Sequence, residues 1–138
     1  MKHPGNTSDF MSRKREELFE AYKRARHNEH FAKSPASRFW VSENRATTIM
    51  QRMEKGYEPD DMNPEKREMY LELYRRMKRL QARHPGTSAL NAMRIIIYQE
   101  APSFYMAQAT ADRAIRDMLA ERRRRQTRQS KGNGVKTF

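Results

Sequence analysis

The chain uses one pattern twice, and this repetition limits what it can fold into more than any other feature. Pro35-Ala-Ser-Arg-Phe-Trp-Val-Ser-Glu-Asn-Arg-Ala-Thr-Thr-Ile-Met-Gln-Arg-Met53 recurs in degenerate form as Ala101-Pro-Ser-Phe-Tyr-Met-Ala-Gln-Ala-Thr-Ala-Asp-Arg-Ala-Ile-Arg-Asp-Met-Leu119. Setting Phe39-Trp40 on Phe104-Tyr105, an offset of 65, also superposes Ala46 on Ala111, Met50 on Ile115 and Met53 on Met118. The shared positions are aromatic or apolar, so they describe a common packing scheme. Upstream, Lys14-Arg-Glu matches Lys66-Arg-Glu and Tyr22 matches Tyr74 at an offset of 52. The offset therefore grows by 13 residues inside the second copy. That is room for one extra short helix.

Apolar spacing makes the long segments helical. A first helix is expected over 9–31, with Ser8 or Asp9 as N-cap and Met11, Leu18, Tyr22 and Ala25 as its buried stripe. Its Arg and Lys residues lie mostly off that stripe, one turn from Glu16, Glu17 and Glu20. Residues 1–8, with Pro4, Gly5 and Asn6, read as a flexible arm. Pro35 breaks the helix, and Phe39 and Trp40 anchor the next one, which starts at the N-cap Ser42, carries Glu43 in its first turn and stops at Gly56. Residues 57–63 are acidic and turn-forming and read as a linker. Asn63 then caps a third helix with Pro64 at its first position and Met69 or Tyr70, Leu73, Met77 and Leu80 as its seam.

Thr87 or Ser88 caps the extra segment over 89–98, which is apolar around most of its circumference and so expected to be buried. In the first copy, 27–34 must fill the same place with less material. Pro102 closes the segment, and Phe104 and Tyr105 anchor a last helix that runs from about Ala107 into the arginines. Ala111, Ala114, Ile115, Met118 and Leu119 face inward along it. The expected fold is all-α with about five helices. Two related helix-turn-helix-like units, 9–56 and 64–125, pack as one small helical domain, followed by a disordered basic tail over 126–138.

Composition narrows the function. With 138 residues, 36% of them hydrophobic, the chain has material for one modest core. No cysteine is present, which removes disulfides, thiolate nucleophiles and cysteine-ligated metal. The lack of an 18-residue apolar run, and of an apolar core near Met1, leads to the expectation of a cytoplasmic protein with no membrane segment. No G-x-S-x-G, P-loop or G-x-G-x-x-G occurs. Asp60-Asp61 lies in the hydrophilic linker and reads as turn chemistry, and His84 before Pro85 reads as a helix stop. His27 and His30 lie one turn apart, but only His3 and His84 remain to complete a metal set. The expectation is a protein that is not an enzyme and takes no cofactor or metal.

Charge points to the partner. Lys and Arg number 29 against 17 Asp and Glu, a formal net charge of +12. Such an excess attracts polyanions, and phosphate contacts gain from counterion release whatever the base sequence. From Arg113 onward there are nine basic residues and two acids, +7 of the total. The second helix turns Asn44, Thr48, Gln51 and Lys55 outward, with Arg45 and Arg52 beside them, a face of amides, a hydroxyl and cations suited to base edges and phosphates. The last helix offers Thr110, Arg113 and Arg116 and then Arg122, Arg123, Arg124 and Arg125. Double-stranded DNA is therefore the favoured partner. The alternative is a protein-interaction module, as a homodimer or with another protein, its methionines and paired rings forming an apolar surface and its arginines serving an acidic partner or RNA. Burial of Trp40 and Tyr105 favours DNA, and their exposure favours the alternative.

The paired segments, Ser-Pro-Ala-Ser-Arg-Phe-Trp-Val-Ser with Arg45-Ala46, and Ala-Pro-Ser-Phe-Tyr-Met, carry a resemblance. Over about Arg13 to Arg125 the chain resembles uncharacterised small basic proteins of gut-bacterial genomes, mobile elements and phages with a duplicated Pro-x-Phe-Tyr/Trp helical unit. The resemblance implies a bacterial or phage origin and no particular activity.

Overall fold

Side-chain caps set where most helices begin. Ser42, Asn63 and Ser88 accept the backbone N–H of Arg45, Lys66 and Asn91 at 3.1, 2.9 and 3.1 Å, and Pro64 adds a first residue already fixed in helical φ. The computed structural model describes residues 7–25 and 30–136. Its α-helices are α1 (Thr7–Ala25), α2 (Glu43–Glu54), α3 (Pro64–Arg83), α4 (Ala89–Ile96) and α5 (Gln108–Lys136), with a 3-10 turn at Phe31–Lys33. The all-α expectation holds.

The two copies meet at their matched positions. Ala36 N–H donates to Ala101 O at 2.9 Å, and Ala101 N–H donates to Ala36 O at 2.8 Å. These residues are 65 apart, the repeat's own offset. Phe39 N–H donates to Ile97 O at 2.8 Å and Phe104 N–H to Ala32 O at 3.1 Å, a second pair of bonds interchanged by the same shift of 65. An antiparallel pairing of equivalent residues, in which each bond has its mate, is the signature of a two-fold axis through the pair.

Helix packing follows that axis. The helix α2 packs on α3 and α4, while α5 packs on α1 and on the 3-10 turn. By the repeat, α2 corresponds to α5, α1 to α3, and the 3-10 turn to the end of α4. Each copy thus lends its last helix to the first elements of the other. Among the described residues α1 does not pack on α2, nor α3 on α5. A segment that crosses the axis at Ala36 or Ala101 has its own copy behind it and the other copy ahead.

A single core results, in which Leu18, Phe39, Ile49, Met50, Leu73, Met77, Met93, Ile97, Phe104 and Ile115 all take part. The segment 57–63 joins it: Pro59 is buried, Tyr57 O–H donates to Asp61 Oδ1 at 2.6 Å, and Arg67 reaches Asp60 at 3.0 Å.

Three local expectations need correction. The helix α1 (Thr7–Ala25) already includes Ser8 and Asp9, which therefore do not cap it, and Phe31 belongs to the 3-10 turn. Met11 is exposed, and Phe19 and Ala21 join Leu18 inside. Among the described elements α4 packs on α2 and α3 alone, which leaves Ile95 and Tyr98 half exposed, at 52% and 50%. Most of the arm at 1–8, together with His27, lies outside the described residues. From Gln126 the backbone of α5 continues as an extension whose side chains are exposed as far as Gln129. The expectation of a disordered tail falls on this unpacked stretch and on 137–138, which lie outside the described residues.

Because Phe39 and Phe104 fill one core from both sides of the axis, Phe39→Ala and Phe104→Ala should each cost about 3–5 kcal/mol. Denaturant unfolding followed by circular dichroism should remain a single transition in both. A half-sized transition surviving in either variant would show separate units.

Candidate nucleic-acid interface

The outward row of α2 is set by what the helix buries. Ala46, Thr47, Ile49, Met50 and Met53 turn inward, which leaves Asn44, Arg45, Thr48, Gln51, Arg52 and Lys55 all exposed on the other side. Two of the six are tied to the body. Arg45 reaches the Tyr70 hydroxyl, whose pKa is raised by burial and partly offset by that guanidinium. Arg52 lies 3.9 Å from the centre of the Tyr57 ring. Asn44, Thr48, Gln51 and Lys55 make no side-chain bond to another described residue.

Along α5 the buried stripe is Ala111, Ile115 and Met118, so Thr110, Arg113 and Arg116 stand outside, followed by Arg122, Arg123, Arg124 and Arg125. Here too the residues divide. Arg122 lies over the Phe19 ring at 4.1 Å and near Glu16 at 3.9 Å, and Arg125 pairs with Glu121 at 3.0 Å. Arg113, Arg116, Arg123 and Arg124 have no acidic partner among the described residues. Arg128, exposed one turn beyond Arg124, belongs with them and was not among the expected residues. Its place became visible only when α5 proved to continue through the arginine run.

Several cations serve the fold instead. Arg38 donates to Phe39 O at 3.0 Å and Val41 O at 2.9 Å, and lies 4.6–5.1 Å from the ring centres of Phe10, Trp40 and Tyr98. Burial lowers its pKa, with the Tyr98 hydroxyl partly offsetting the cost. Arg76 joins Glu72 at 2.8 Å to Gln99 Oε1 and Glu100 O, both at 3.1 Å, and covers the Phe39 ring at 4.9 Å. Burial alone would raise the Glu72 carboxyl; hydrogen bonds from Arg76 and Arg75 outweigh it and hold it below the usual carboxylate range. The Lys14 ammonium is lowered, first by burial and then by the charge of Lys66, its own repeat partner.

Trp40 and Tyr105 are both half-buried, so they favour neither partner class. Trp40 meets the edge of Phe10 at 5.4 Å, and Tyr105 stacks on Phe39 at 6.0 Å. Tyr105 adopts φ 55, with its N–H held by Ser103 Oγ at 2.9 Å. No group of three potential metal ligands converges among the described residues, and no described helix is long and apolar enough to cross a membrane. No protein-family model, curated protein or solved structure matches the chain.

The two exposed faces start differently. Ser42 caps α2 through its side chain, whereas the repeat places Ala107 at the same point of α5, where only its carbonyl accepts, from Ala111 N–H at 3.0 Å. Ser42→Ala should cost about 1 kcal/mol, and Ala107→Ser should gain a few tenths to about 1 kcal/mol. Thermal melts of both variants would show the opposite shifts; equal shifts would contradict the equivalence.

Proposed function

We propose that the protein binds double-stranded DNA, with the exposed faces of α2 and α5 toward the duplex and the arginine run of α5 along the phosphates. The observation that carries this reading is the row Arg113, Arg116, Arg123 and Arg124, exposed on one helix without an acidic partner among the described residues. Guanidinium groups already paired with carboxylates would lose those bonds on meeting phosphate, whereas these begin hydrated and release counterions. The face of α2 adds side chains that can both donate and accept at base edges. Each of the two helices is backed by two other elements, which fix its outward face, though by the exchange neither packs, among the described residues, on the helix before it as in a helix-turn-helix. The reading suits a regulator or architectural protein of a bacterium, phage or mobile element, acting in the cytoplasm.

A second reading rests on a different surface. Ile95 lies exposed in a groove lined by Arg79 and Arg83 as well, a setting for an acidic peptide with one apolar anchor.

Binding of a random-sequence duplex across a salt series tests the first reading. Affinity should fall steeply with salt, and Arg123→Ala with Arg124→Ala should flatten the log–log slope by about 2. A chain that fails to retain the duplex even at low salt would refute it.

A further inference from the structure

The two-fold exchange relates α2 to α5 residue by residue. It sets Thr48 against Arg113 and Gln51 against Arg116, while Asn44 and Lys55 correspond to Ala109 and Ala120. The same two places on the molecule therefore carry a hydroxyl and an amide on one side of the axis and two guanidinium groups on the other. All four side chains are exposed and make no bond to another described residue. Their difference contributes nothing to packing.

We infer that the target is a single duplex site made of two unlike half-sites related by approximate inversion, one bearing adenine under α2 and the other bearing guanine under α5. The inference rests on the DNA reading above and deepens it. Duplex DNA has local two-fold axes perpendicular to its length, so a protein whose own two-fold coincides with one of them engages phosphates on both sides of one point. Asn and Gln make bidentate bonds to adenine N6 and N7, and Arg makes them to guanine O6 and N7. Asn44 and Gln51 are seven residues apart and so share a helix face, as do Arg113 and Arg116 one turn apart.

Two identical chains about such an axis would read a palindrome, which has no direction. One chain with diverged halves reads a site that can be bound in one orientation only. The extension strengthens the polarity. The helix α2 gives way at Gly56, whose φ is +104, while its counterpart α5 passes the matching position, Glu121, and continues through Arg123, Arg124 and Arg128. Phosphate contacts therefore reach further on the guanine side.

The test is selection of bound duplexes from a randomised library with the full chain, followed by hydroxyl-radical footprinting of the winner. The expected motif has two unlike halves, with the footprint extended beyond the guanine half. Gln51→Ala should relax selection at the adenine half alone and Arg116→Ala at the guanine half alone, each by about ten-fold at the affected base. Unchanged melts would show that both variants remain folded. A palindromic motif, a motif with one half only, or both variants relaxing the same half would overturn the inference. Salt-sensitive duplex binding without any motif would also overturn it while leaving the DNA reading intact. Failure to bind any duplex would remove both.

Discussion

Everything in the fold hangs on the reciprocal hydrogen bonds between Ala36 and Ala101. Both residues are almost wholly buried, at 1% and 0% exposure, so their N–H and C=O groups have no access to water and must find partners inside. Each finds them on the other, and the Phe39–Ile97 and Phe104–Ala32 bonds continue the pairing on either side. Losing one such bond would strand a buried donor or acceptor, a cost of about 1–3 kcal/mol. The pairing also determines the topology. Once the two extended segments cross at equivalent residues, each following helix is delivered to the other copy, and one core replaces two small ones. For a chain of 138 residues that is a physical advantage, because buried fraction rises with the size of the packed unit.

Around this shared crossing the halves have diverged. In the first, Arg38 ties down its loop through two carbonyls and three rings; in the second, the matching Ser103 does so by accepting the Tyr105 N–H and donating to Ala32 O. Glu43 reaches back to the Tyr98 hydroxyl at 2.7 Å, and its counterpart Gln108 accepts the Ala32 N–H at 3.2 Å. These unlike side chains perform like tasks, bracing the last helix of one copy against the short element of the other. At Thr48 and Gln51 on α2, and at the matching Arg113 and Arg116 on α5, the faces differ without any such compensation. Divergence that leaves the packing untouched is the kind expected where two surfaces meet different parts of one ligand.

Much of the architecture was legible in the sequence. The offset of 65 that aligned Phe39 with Phe104 is the separation of the residues that bond across the axis, and Ser42, Asn63 and Ser88 announced their helices. An offset identifies equivalent residues but says nothing of which copy a helix packs on, since exchanged and unexchanged pairings bury the same stripes. The outward rows of α2 and α5 were also legible, because a 100° step separates them from the apolar positions. Which arginines are free was not. Arg38 and Arg76 look no different in sequence from Arg79, yet carbonyls and rings brought from distant segments claim the first two. The Ile95-Ile-Ile run suggested burial on all sides, and only the number of helices around α4 decides that Ile95 stays in solvent.

The exchange about a two-fold is the claim on which the composite interface depends, and amide hydrogen exchange addresses it without altering the chain. Ala36, Phe39, Ala101 and Phe104 lie in segments without helical bonds, where amides open to water exchange within seconds to minutes. The account predicts that these four N–H groups are protected as strongly as the amides in the middle of α2 and α3, exchanging only through global unfolding. Rapid exchange at Ala36 and Ala101, beside protected helices, would mean that the copies are not joined at the axis and would contradict it.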